Sequence, residues 1–109
     1  MLYSRLGRLP EAVQQYQEVI AADAGFADAY AGLAWIFAKH GVRLDEAREL
    51  IVRALELDPG KSWYQDVLAE VCINVGEPER AAAIFREMIG REPENEYWRE
   101  RLEEVEGKR

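Results

Sequence analysis

From Phe26 to His40 the apolar residues Tyr30, Leu33, Ala34 and Phe37 follow i, i+3, i+4, i+7, which places them on one face of an α-helix. The same stripe returns between Asp45 and Leu57 in Ala47, Leu50, Ile51, Ala54 and Leu55. It returns again in Leu68, Ala69, Cys72 and Ile73, and in Ala81, Ile84, Phe85, Met88 and Ile89. After Pro93 a last stripe, Trp98, Leu102 and Val105, is backed by Glu100, Arg101, Glu103 and Glu104 and reads as a capping helix with a solvated outer face. Ahead of Phe26, a helix from Pro10 to Ala22 carries Val13, Tyr16 and Ile20, preceded by the short segment MLYSRLG. Glycine and proline fall mostly between the stripes, and strand-like alternation is missing. The pattern predicts an all-α chain.

The stripes recur with a period. ALELDPG, Ala54 to Gly60, has a counterpart 34 residues later in MIGREPE and a weaker one 35 residues earlier in VIAADAG. Three landmark sets keep this step: Gly7, Gly41 and Gly76 as helix-ending glycines; Ala12, Ala47 and Ala81 after a turn; Ala24, Pro59 and Pro93 as stops. The turn GVRLDEA holds one residue more than GRLPEA and GEPERA, an insertion of the kind a turn tolerates. Two helices per period of about 34 predict a stacked helix-turn-helix array. Its units are a partial first repeat over 1–25, a second over 26–60, a third over 61–93, and a cap and tail over 94–109. Small residues at Ala34, Ala47, Ala54, Ala69 and Ala81 let neighbouring helices approach closely.

Composition narrows the function. With 49% hydrophobic and 32% charged residues, the 109-residue chain can build one modest core. No apolar run reaches the roughly 20 residues of a membrane-spanning helix, and no apolar leader follows Met1, so a cytoplasmic chain without membrane insertion is expected. A net charge of -7 disfavours nucleic acid and anionic membranes and suits a basic protein partner. Catalysis is not expected. His40, the only histidine, sits where it would complement a helix C-terminus, and the lone Cys72 lies on a core stripe. No metal cluster, phosphate loop or cofactor motif is visible.

The residues Tyr30, Leu33, Ala34, Phe37, Ala47, Ile51, Ala54 and Pro59 together resemble the tetratricopeptide repeat. Leu68, Ala69, Ala81, Phe85 and Pro93 repeat the resemblance, and Ala12, Tyr16 and Val19 carry it in weaker form, with Ala24 in place of the proline. The resemblance implies a right-handed α-solenoid of about two and a half repeats plus a capping helix. It also implies a scaffold or adaptor that holds a peptide or helix of a partner protein in a groove lined by the first helix of each repeat. The lining carried over is Asp28, Ala31, Trp35, Ala38 and Lys39, then Trp63, Asp66, Glu70, Ile73 and Asn74, then Tyr97, Glu100 and Glu104. Aromatic anchors beside carboxylates suit a ligand with basic and apolar residues. One subgroup of the family grips C-terminal carboxylates; its gripping positions here hold Gly32, Trp63 and Val67, so no such clamp is implied.

In the family register Met1 falls inside the first helix of a repeat. The remnant is too short to be stable alone and would leave Val13, Tyr16 and Ile20 partly uncovered. Either the chain begins within a longer array, or Leu2, Tyr3, Leu6, Val13, Tyr16 and Ile20 form a self-association face that makes a homodimer.

Overall fold

The computed structural model describes residues 2–107, with side chains from residue 9 onward. Six helices and no strand occur among the described residues: α1 Leu2–Ala22, α2 Ala27–His40, α3 Leu44–Leu57, α4 Ser62–Asn74, α5 Pro78–Arg91 and α6 Glu96–Glu106. None of them is long and apolar enough to cross a membrane.

Each helix packs on its sequence neighbour, and α2 also packs on α4. The result is two layers, α1–α3–α5 and α2–α4–α6, joined by short turns. Alanines make the close approaches: Ala31, Ala34, Ala47, Ala54, Ala69 and Ala81 have no exposed surface. Phe37, Ile51 and Tyr64 fill the first apolar cluster, between α1 and α4. Phe85, Met88 and Trp98 fill a second, between α4, α5 and α6, together with Cys72. This is the all-α helical-repeat solenoid the stripes predict.

Gly41 and Gly76 end α2 and α4 as expected, with φ of +67° and +83°. Behind them the amides of Val42 and Glu77 donate to the carbonyls of Phe37 and Cys72 at 3.0 and 2.8 Å, satisfying acceptors the helix leaves open. The extra residue of GVRLDEA is absorbed by the backbone of Arg43, which takes φ +50°. A side chain in that region costs on the order of 1 kcal/mol. Arg43 is held there by its bond to Glu46 at 2.9 Å and by stacking 4.7 Å over the Phe37 ring.

Gly7 departs from its predicted role. No turn separates it from Pro10; α1 runs through both residues as one helix. A proline inside a helix removes one backbone bond and costs about 3 kcal/mol. Folding the short preceding stretch back into a hairpin would order a turn in exchange for less than two helical turns of packing.

Leu2, Tyr3 and Leu6, proposed for self-association, lie outside the described side chains. The other three turn into the chain's own core: Val13 is buried, and Tyr16 and Ile20 pack beside it against α2. Gly32 makes this possible. A Cβ there would stand 2.6 Å from the Tyr16 ring, so the two helices meet through a missing side chain. Gly32→Ala should push the Tyr16 ring out of its seat, and since alanine gains about 1 kcal/mol of helix propensity the net loss of stability should be about 1 kcal/mol or less. Thermal unfolding checks this, and a smaller residue in place of Tyr16 should recover part of the loss.

Candidate functional site

On α4, Trp63, Asp66 and Glu70 are spaced i, i+3, i+7 and share one face. On α2, Asp28 and Trp35 stand seven residues apart in the same way. Two hollows bordered by these residues lie along α2 and α4, one toward α6 and one toward α1.

The larger, about 420 Å³, is lined by Trp35 and Lys39 of α2, Asp66 and Glu70 of α4, and Tyr97, Arg101 and Glu104 of α6. Trp35 and Tyr97 are 44% and 42% exposed, large apolar surfaces that the core does not use. Lys39 sits over the Trp35 ring, 5.0 Å from its centroid. Arg101 organises the other wall. It donates to Asp66 at 3.4 Å, to Glu70 at 2.7 Å and to Glu104 at 2.8 Å, and lies 5.2 Å over the Phe85 ring. Burial works against the guanidinium charge, but the bond to Glu104 and the Asp66 carboxylate more than offset it, so the net shift is upward. Tyr97 donates its hydroxyl to Asp66, and burial together with that bond pushes its pKa up to about 12.

The smaller hollow, about 240 Å³, is lined by Tyr16, Val19, Phe26, Asp28, Ala29 and Trp63. Val19, Phe26 and Trp63 are all substantially exposed. Asp28 accepts from Lys61 at 2.8 Å and from the Tyr64 hydroxyl, and these two bonds hold its carboxyl below the usual range. Burial and the same bond push Tyr64 upward. Asp28 is thus a tie between α2 and α4.

The layout regroups the residues expected in one groove. Trp35, Lys39, Asp66, Glu70, Tyr97 and Glu104 come together, whereas Trp63 and Asp28 line the second hollow. Ala31 and Ala38 are buried under the surface. Asn74 is exposed but spends its amide on the carbonyls of Ala38 and Glu70, at 3.1 and 2.9 Å. Glu100 lies away from the others, beside Glu96, Arg99 and Glu103 on the outer side of α6. Arg101, read as part of that solvated side, is instead only 18% exposed. It follows Tyr97 by four residues, and that i, i+4 spacing was the available signal for its place in the site.

Candidate chemistry is sparse. His40 donates from Nδ1 to the Ile36 carbonyl at 2.9 Å, tying itself to its own helix end. Cys72 is buried, and its surroundings push the thiol pKa up. No group of three or more metal-ligating side chains occurs among the described residues.

A family model described as tetratricopeptide repeat matches residues 1–62. Among solved structures, a mutant of the Thermobaculum terrenum O-GlcNAc transferase superposes at a TM-score of 0.80 and 21% identity. The match covers 94% of this chain, which spans 20% of that one. The TPR domain of Arabidopsis OM64 superposes at a TM-score of 0.78 and 19% identity, over 95% of this chain and 85% of that one. At these identities the likeness concerns the fold. No curated protein sequence matches significantly.

Proposed function

Because this chain belongs to the tetratricopeptide repeat family, whose domains are generally non-catalytic modules for binding other proteins, we propose that its α2–α4–α6 face takes a peptide segment of a partner protein. One observation carries this reading. Trp35 and Tyr97, both more than two-fifths exposed, flank an open cavity whose other wall holds Asp66, Glu70 and Glu104. Tryptophan and tyrosine are the side chains that dominate binding energy at interfaces, and they lose little entropy on contact. The carboxylates outnumber the two cations of the cavity, and the chain as a whole carries -7, so a ligand with basic and apolar residues fits best. A cation on the ligand would meet the exposed side of Glu104 and add to, rather than replace, the bonds from Arg101.

A face of this size supports affinity of about micromolar for a short peptide. Trp35→Ala should weaken binding by about 1–3 kcal/mol in a fluorescence anisotropy titration. Glu100→Ala, on the outer side of α6, should leave it unchanged. Equal affinity for wild type and Trp35→Ala would remove the cavity from the binding site. Self-association through α1 is the second reading. It loses weight because Val13, Tyr16 and Ile20 face the chain's own core, and light scattering across a hundredfold concentration range tests it directly.

A further inference from the structure

The two hollows differ in chemistry. The one beside Trp63 is apolar apart from Asp28, and Asp28 is already paired with Lys61 and the Tyr64 hydroxyl. An unpaired charge entering it would lose water and gain no partner. The Trp35–Tyr97 cavity instead sets Asp66, Glu70 and Glu104 against Lys39 and Arg101, leaving an excess of negative charge. One end of the face therefore suits an uncharged apolar side chain and the other a cation.

The helices also set the spacing. From Trp63 to Glu70, and from Asp28 to Trp35, is seven residues, or about 10 Å at 1.5 Å per residue. The cavity is displaced sideways as well, toward α6, by part of an interhelical spacing, so the two centres are separated by about 10–15 Å.

We infer that a single ligand segment is held at both points, with an aliphatic or aromatic side chain in the Val19–Phe26–Trp63 hollow and a lysine or arginine at the Trp35–Tyr97 cavity. This deepens the peptide-binding reading above and rests on it. An extended or polyproline-like chain advances about 3.1–3.4 Å per residue, so the two groups stand three to five residues apart. A helical ligand would need seven or more residues between them. A helix so short is marginal in water and would add the cost of its own formation to binding.

The test uses fluorescein-labelled peptides in which one Leu and one Arg are separated by one to eight Ser or Pro residues. They are titrated against wild type, Val19→Asp and Trp35→Ala, each checked by circular dichroism for an intact fold. Val19 is an exposed position, so its replacement places a charge in the hollow without opening the core. Affinity should peak where Leu and Arg are three to five residues apart. At that spacing Val19→Asp should bind about tenfold more weakly, while a peptide with Ser in place of Leu should not distinguish the two proteins. A flat spacing profile with binding still lost in Trp35→Ala would leave the cavity as a site and overturn the two-point arrangement. A maximum at seven or more residues would overturn the extended ligand. No binding of any peptide would overturn the peptide-binding reading itself. If Val19→Asp changes the molar mass in light scattering and not peptide affinity, the hollow belongs to a second copy of the chain and the inference fails.

Discussion

Phe85→Ala should cost the chain about 3–5 kcal/mol, the range for deleting a fully buried aromatic ring. Phe85 has no exposed surface and lies 6.1 Å from the Trp98 ring, with the Arg101 guanidinium over its face. It is the ring on which the α6 cap is seated. Folded domains are stable by about 5–15 kcal/mol in total, so this one change removes about a fifth or more of the margin. The damage should also be local. The buried residues of the second apolar cluster are distinct from those of the first, the two meeting at the partly buried Leu68, and helical repeats contact only their neighbours, so α5 and α6 should loosen while α2 and α3 hold. Cys72 supplies a built-in probe, since it is buried in the affected cluster. A thiol reagent under native conditions should modify it many times faster in Phe85→Ala than in wild type. Amides of α2 should keep their hydrogen-exchange protection. Uniform loss of protection along the chain would show that the two clusters unfold as one.

Why α6 was legible as a cap while its role in the site was not follows from what each depends on. The stripe Trp98, Leu102 and Val105 is a property of one helix, and periodicity reports it without knowledge of neighbours. The same holds for α2 to α5, for the helix-ending Gly41 and Gly76, and for the turn that holds the extra residue. Arg101 could not be placed this way. Its environment is made by Asp66 and Glu70, more than thirty positions earlier, and by a ring of α5. The Tyr16–Gly32 approach is of the same kind, because a glycine inside a helix reads as a weakness until the partner side chain that fills it is known. Gly7 and Pro10 mark the reverse error. Both carry the local signature of a turn, yet a turn forms only where the segments it joins have something to pack against. The division of the lining between two hollows, with Trp63 set apart from Trp35, likewise comes from how α1 and α6 stand on either side of α2 and α4, which single-helix spacing does not encode.

Arg101→Met should destabilise the fold by about 2–3 kcal/mol, below the 3–5 kcal/mol of a fully buried broken pair because the site retains some contact with water. The arginine donates to three carboxylates on two helices and is 18% exposed. Methionine keeps much of the aliphatic stem that packs on Phe85, so the measured loss reports the charge rather than a cavity. What remains is a cluster of Asp66, Glu70 and Glu104 without its main cation, in a chain that already carries -7. Two features separate this from simple loss of packing. Raising salt from low to near-molar concentration should shrink the deficit, since repulsion between partly exposed carboxylates is screened over a few ångströms. Adding Asp66→Asn and Glu70→Gln to Arg101→Met should recover most of the stability, a non-additivity expected only of groups that interact directly. Chemical denaturation of wild type, Arg101→Met, the Asp66→Asn/Glu70→Gln variant and the triple variant, read by circular dichroism, gives both numbers. If the triple variant is less stable than Arg101→Met alone, the carboxylates are held by their hydrogen bonds, such as the one from Tyr97 to Asp66, more than they repel one another. The arginine would then serve the cap rather than the charge balance of the cavity.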